Sequence, residues 1–222
     1  MFWDNLLGEE TGMDPADFVE LFRQVRASAI LRTHSEQLAR HAMLAAIEGG
    51  FRIIEFTLSV PNAFALIEEF AARDGLIVGA GTVLDVEDAD RAVAAGARFL
   101  VSPVVDEAVI QRAASLGVAA MPGCSTPTEM LRAYRAGAQL QKLFPEQGAG
   151  PHWVRQTLGP LPFLNIVPTA GVALENVDDY LNAGATAVGF VNTLFQPQDI
   201  AEKNWEAITR RAAQMLQAVS DV

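Results

Sequence analysis

A chain of 222 residues holds one large α/β domain or two small ones, and with half its residues hydrophobic and a mean hydropathy of +0.20 it has ample material for a large core. A formal charge of −11 and a pI near 4.7 exclude nucleic acid and anionic membrane as main partners. Cys124 is the single cysteine, so an internal disulfide is impossible and a reducing compartment fits. The opening MFWDNLLGEETGMDP lacks the basic and long apolar regions of a signal peptide. The apolar runs are broken by Gly, Pro or charge well short of a membrane span, so a cytoplasmic protein with no membrane partner is expected.

In chain order, a helix over 15–26 precedes the first strand. Strands are then predicted at 28–33, 51–58, 76–83, 99–104, 118–124, 140–145, 163–172 and 186–195, with helical patterns between them, such as 36–48 and 86–95. Ser35, Asp85, Asp106 and Thr126 are placed as N-caps, and Gly49-Gly50, Gly96, Gly117, Gly137 and Gly184 as helix terminators. Eight strand–helix units with near-continuous apolar strands indicate an all-parallel sheet covered by helices. A closed barrel and an open doubly wound sheet both satisfy that pattern. The first strand exits as Ile30-Leu31-Arg32-Thr33-His34, with no G-x-G-x-x-G, and no element is spare. We therefore expect one (β/α)8 barrel domain over the whole chain, 1–222, with its chemistry at the C-terminal ends of the strands.

Two residues on those strands call for explanation. Only Lys142 and Lys203 are lysines, and Lys142 sits within Leu140-Gln141-Lys142-Leu143-Phe144-Pro145. A buried ammonium is costly unless it is paired or its pKa falls, and a lowered pKa leaves the neutral amine that attacks a ketone to form an imine. Glu55 likewise sits inside a strand, sharing a face with Ile53 and Thr57. Strands two and six stand on opposite walls of an eight-stranded barrel, so both side chains can address one cavity. A carboxylate there can accept and return protons. A plain Lys142–Glu55 ion pair filling the barrel is the structural alternative, and the two are not exclusive.

The same residues carry a resemblance. The segments Ile30-Leu31-Arg32, Ile54-Glu55-Phe56-Thr57-Leu58, Gly79-Ala80-Gly81-Thr82-Val83, Val101-Ser102-Pro103, Pro122–Pro127, Lys142-Leu143-Phe144-Pro145 and Gly171-Val172, in this order, resemble the 2-keto-3-deoxy-6-phosphogluconate and 4-hydroxy-2-oxoglutarate aldolases and their 6-phosphogalactonate relatives. The resemblance implies a (β/α)8 fold, a homotrimer, and a class I lyase without metal or cofactor that cleaves a 4-hydroxy-2-keto acid to pyruvate and an aldehyde. It places the Schiff base on Lys142 and the general acid/base on Glu55, acting through water. Thr82 would hold the pyruvyl carboxylate, Pro103 and Phe144 would shape the pocket around the imine, and Arg32 would bind substrate.

The family's phosphate cradle is a Gly-Gly pair after strand seven and a Gly-Ser pair after strand eight. Here those positions read Ala170-Gly171 and Val191-Asn192. Side chains at Ala170 and Val191 should crowd an approaching anion, with Gly171 and Asn192 left to bind the substrate's far end. The gluconate branch's arginine is replaced by Ser59. The resemblance implies 2-keto-3-deoxy-6-phosphogluconate as the default substrate, whereas the altered cradle favours the alternative, an unphosphorylated acid such as 4-hydroxy-2-oxoglutarate. A barrel that binds a keto or sugar acid without turning it over, and a phosphosugar isomerase, are further alternatives. The first leaves Lys142 and Glu55 without a task; the second needs no imine on Lys142 and expects the phosphate cradle from which these positions depart.

Other polar residues are read as structural. His34, His41 and His152 fit no metal spacing, although His34 lies near the expected mouth. Cys124 is read as a small buried hydrophobe, the Asp85–Asp90 acidic run as a helix first turn, and Trp3, Trp153 and Trp205 as surface or subunit packing.

Overall fold

The computed structural model describes residues 14–145 and 148–222. The opening segment, with Trp3 and the sequence inspected for a signal peptide, lies outside the described residues. Helix α1 (Pro15–Val25) leads into β1 (Ala27–Leu31), α2 (Glu36–Glu48), β2 (Ile53–Thr57), α3 (Ala63–Ala71), β3 (Ile77–Gly81), α4 (Val86–Ala94) and β4 (Phe99–Ser102). Then follow α5 (Glu107–Ser115), β5 (Ala119–Cys124), α6 (Pro127–Arg135), β6 (Gln141–Leu143), α7 (Gly150–Leu158), β7 (Ile166–Pro168), α8 (Val177–Asn182), β8 (Val188–Phe190), α9 (Pro197–Glu202) and α10 (Trp205–Ser220). Among the described residues no helix is long and apolar enough to cross a membrane.

The strands pair in parallel in the order β7-β6-β5-β4-β3-β2-β1-β8. The two ends meet where the Thr186 N–H donates to the Ile166 carbonyl at 2.9 Å, so the sheet is rolled into a (β/α)8 barrel. All four expected N-caps are formed: Ser35, Asp85 and Asp106 accept backbone N–H bonds, and Thr126 with Glu129 makes a full capping box. Gly50, Gly96, Gly117, Gly137 and Gly184 follow their helices with positive φ.

The strands are shorter than their apolar runs, chiefly at the C-terminal ends. Pro103 and Pro145 stand just past the ends of β4 and β6, where a residue without an N–H gives the ladder no donor. What the pattern assigned to strand is therefore loop, and those loops surround the site.

Alternation along each strand divides the core in two. Outward residues such as Ile54, Phe56, Val78 and Leu100 pack beneath the helices, where Trp153 and Trp205 also lie half-buried. Inward residues such as Ile53, Ile77, Phe99 and Met121 form a second cluster inside the barrel. Phe18, Leu21 and Phe22 of α1 join this inner cluster and close the N-terminal end, with Phe18 stacked on Phe99 at 4.8 Å between ring centroids. The N-terminal helix is thus a plug. Because Phe18 is 1% exposed, Phe18→Ala should lower the unfolding free energy by about 3–5 kcal/mol in urea titration, as expected for removing a buried phenyl group from a packed core. A loss below about 1 kcal/mol would show that the plug is not part of the cooperative core.

Candidate active site

Glu55 and Lys142 lie on inner faces of opposite walls, both above the apolar inner cluster. In the ladders Glu55 stands level with Ile30 of β1 and Gly79 of β3, while Lys142 stands level with Gly123 of β5 and Val167 of β7. Glu55 is fully buried, and neither carboxylate oxygen has a hydrogen-bond partner among the described residues. Lys142 is 8% exposed, with its ammonium 5.3 Å from the centre of the Phe144 ring.

Glycines make the room. A Cβ on Gly79 would run into the Phe99 ring, and one on Gly81 would run into the Glu55 carboxylate. Every second residue of β3 faces inward, so two glycines spaced by Ala80 clear the wall twice, below for a core phenyl ring and above for an acid. Gly123 does the same on the far side, where the Pro103 carbonyl occupies the space a Cβ would need.

The electrostatics follow from burial. Burial pushes Glu55 above the ordinary carboxylate range, while the Lys142 and Arg32 cations pull it back. Burial pushes Lys142 below the ordinary lysine range; the Glu55 carboxylate opposes this, and Arg32 adds to it. An acid raised and an amine lowered in one site favour a proton that moves between partners.

Arg32 is exposed at the exit of β1, and its Nη2 donates to Thr82 Oγ1 over a long 3.4 Å. Thr82 sits at φ 60°, a conformation that costs a β-branched residue on the order of 1–3 kcal/mol. Its neighbours impose it: Leu58 N–H donates to Gly81 O at 2.7 Å and Val83 N–H to Val101 O at 3.1 Å. Thr57 donates to the Leu31 carbonyl at 3.3 Å and meets Ser59 Oγ at 2.9 Å, bracing the turn after β2. Pro103 and Phe144 are half-buried at the ends of β4 and β6.

Gly171 and Asn192 are exposed after β7 and β8, beside half-buried Ala170 and Val191. Leu194 and Phe195 N–H both donate to Val191 O, which makes a helical turn. Among the described residues the N–H groups of Gly171, Val172, Asn192 and Thr193 carry no hydrogen bond, so the loops keep a set of free donors despite the Ala and Val side chains.

The remaining candidates stand apart. His34 and His152 are exposed, and His41 stacks on Trp205 at 5.7 Å. Burial pushes the Cys124 thiol up to about 12, leaving it inert near neutrality. Among the described residues no three His, Cys, Asp or Glu side chains gather as metal ligands. Gly79-Ala80-Gly81-Thr82-Val83 is legible as a motif in the sequence, but what its glycines accommodate is visible only in the fold. The inward period-two placement was the available signal.

Fold and site together define a (β/α)8 barrel with an amine and a carboxylate facing one another above the barrel core. The chain belongs to the KDPG and KHG aldolase family, whose model matches residues 19–211. It is an aldolase, a lyase. It is 40% identical over 172 residues to a probable 2-dehydro-3-deoxy-6-phosphogalactonate aldolase of Rhizobium meliloti (strain 1021), covering 76% of this chain and 81% of that one. It is 32% identical over 204 residues to the 2-dehydro-3-deoxy-phosphogluconate aldolase of Treponema pallidum (strain Nichols), covering 90% and 96%. A solved native KDPGal structure superposes with a TM-score of 0.79 at 30% identity over 88% of this chain and 94% of the other.

Gly81→Ala tests the geometry directly. The added methyl must displace the Glu55 carboxylate, so kcat should fall at least ~100-fold, the lower range for loss of a general acid/base, in a protein that still folds. Steady-state rates and circular dichroism decide it; a folded variant with near-normal kcat would show that Glu55 is not needed where it stands.

Proposed function

We propose that this chain is a class I aldolase that reversibly cleaves a 4-hydroxy-2-keto acid, by default 2-keto-3-deoxy-6-phosphogluconate or its galactonate epimer, to pyruvate and an aldehyde. The observation that carries the reading is a buried lysine with a lowered pKa opposite a buried glutamate whose oxygens are unpartnered. The neutral Lys142 amine attacks the C2 carbonyl, and loss of water gives an iminium. Glu55, through a water, takes the C4 hydroxyl proton as the C3–C4 bond breaks. The bonding pair flows into the iminium to give an enamine, and the aldehyde departs. Glu55 returns its proton to C3, and hydrolysis of the pyruvyl iminium frees Lys142. The iminium is the electron sink, so the scheme needs neither metal nor cofactor.

In this reading Arg32 and Thr82 hold the keto-acid carboxylate, the guanidinium being suited to that anion. Pro103 and Phe144 wall the imine, and Gly171 and Asn192 face the far end of the substrate. We take the working form to be a single-domain barrel assembled as a cytoplasmic homotrimer. The exposed apolar side chains Leu84, Val86 and Val104, on neighbouring segments after β3 and β4, support a subunit contact.

Borohydride reduction in the presence of pyruvate should add one reduced pyruvyl group to the peptide bearing Lys142, read by mass mapping. Glu55→Gln should keep that adduct while kcat falls about 10²–10⁴-fold. An adduct confined to Lys203, or none, would sink the imine mechanism.

A second reading, an unphosphorylated substrate such as 4-hydroxy-2-oxoglutarate, rests on the Ala170 and Val191 side chains. Free N–H donors at four loop positions support the phosphorylated one. A dianion held by several charge-assisted bonds should be preferred by roughly tenfold or more in kcat/KM. Equal or better turnover of the unphosphorylated acid in a steady-state panel would establish the second reading.

A further inference from the structure

Two side chains outside the reacting centre bind together the loops on which the substrate's far end depends. Thr193 Oγ1, after β8, donates to the Val172 carbonyl, after β7, at 2.6 Å. One residue further on, Arg211 of α10 donates from Nη1 to the Leu194 carbonyl at 2.7 Å and from Nη2 to Asp199 Oδ2 at 2.6 Å. That Arg211–Asp199 pair is largely buried, its side chains 17% and 12% exposed. The β7 loop has its own brace: Asn176 donates to Gly171 O and accepts from Ala173 N–H, both at 2.9 Å. A continuous line of hydrogen bonds thus runs from α10 through the β8 loop into the β7 loop.

The orientation of the substrate makes this line matter. With C2 on Lys142 of β6 and the carboxylate beside Arg32 of β1, β7 and β8 form the wall between them. On the opposite rim, after β3 and β4, Thr82 is engaged with Arg32 at the carboxylate, and the exposed Leu84 and Val104 side chains offer nothing to hydroxyls or a second anion. The polar tail is therefore directed at the N–H groups of Gly171, Val172 and Asn192, which carry no hydrogen bond among the described residues. Those donors lie on two separate loops, and they act together only if the loops keep a fixed separation. Backbone preorganisation of this kind comes from supporting hydrogen bonds rather than from the contacts themselves.

We propose that Thr193 and Arg211 are positioning residues for the end of the substrate distant from the reacting carbonyl, locking the β7 and β8 loops into one binding surface. This rests on the aldolase reading of the same site. Neither residue touches the imine, so the clamp acts on recognition of the whole substrate and leaves pyruvate chemistry alone.

The test uses Thr193→Val, which keeps the shape and deletes the donor, with Thr193→Ser as the conservative rescue. Arg211→Met is made together with Asp199→Asn, so that no buried carboxylate is left unpaired. For cleavage of 2-keto-3-deoxy-6-phosphogluconate or its galactonate epimer, whichever the unaltered protein turns over faster, KM should rise about five- to tenfold in Thr193→Val and in the double variant. That is the scale of one lost hydrogen bond transmitted to binding. In both, kcat and the exchange of pyruvate methyl protons in D2O should stay within about twofold, and Thr193→Ser should restore KM. An unchanged KM in a folded Thr193→Val overturns the proposal. So does a parallel fall in kcat and pyruvate exchange, which would mean the clamp supports the barrel at large. Should Thr193→Val fail to fold, the double variant carries the same reading. Absence of pyruvate exchange in the unaltered protein would instead overturn the aldolase reading itself.

Discussion

A carboxylate and an amine are held inside a barrel where water is scarce, and much of the architecture around them follows from that single pairing. An unpartnered buried carboxylate is among the more costly groups a fold can carry, and neither Glu55 oxygen has a hydrogen-bond partner among the described residues. The Lys142 cation across the cavity and the Arg32 cation at the exit of the neighbouring strand β1 offset part of that cost. Without the glutamate, Lys142 would be a buried cation with a second cation nearby, and its pKa would fall further. The pair is stable enough to exist and strained enough to react, which is the condition general acid–base chemistry requires near neutrality.

The rest of the molecule holds that condition in place. Below the pair, α1 and the inner apolar cluster seal the barrel, so its interior reaches solvent from the strand C-termini. Beside it, inward glycines on β3 and β5 leave space that side chains would fill in an ordinary packed barrel. Above it, the β3 loop forces Thr82 into a left-handed conformation while both flanking residues remain in backbone hydrogen bonds. Each feature costs stability locally and is maintained by cooperative packing elsewhere, as functional sites commonly require.

Membership of the KDPG and KHG aldolase family and the arrangement of Lys142 and Glu55 point the same way. Departures from the family pattern concentrate at Ala170, Val191 and Asn192, on loops that the proposed reading sets against the far end of the substrate. Variation there leaves Lys142 and Glu55 untouched, and loop variation of this kind is how one barrel can keep a reaction and alter its substrate.

The linear chain was informative wherever the physics is local. Periodicity, N-caps at Ser35, Asp85, Asp106 and Thr126, and glycines after helices depend on neighbouring residues, so the alternation of eight strands and their helices could be read directly. The rarity of lysine and its place among leucines marked Lys142, and a lone acid in an apolar strand marked Glu55. Strand ends were overestimated because apolar residues continue into loops, where Pro103 and Pro145 withhold the N–H a ladder needs. Tertiary structure alone decided what fills the space beside each inward glycine, that α1 is a plug, that four N–H groups in the last two loops carry no hydrogen bond among the described residues, and that Thr193 and Arg211 tie those loops together. These are contacts between segments that meet only when the sheet closes, from Gly81 on Glu55 to Arg211 on the loop after β8. Closure fixes which atoms share a cavity, and no spacing along the chain carries that distance.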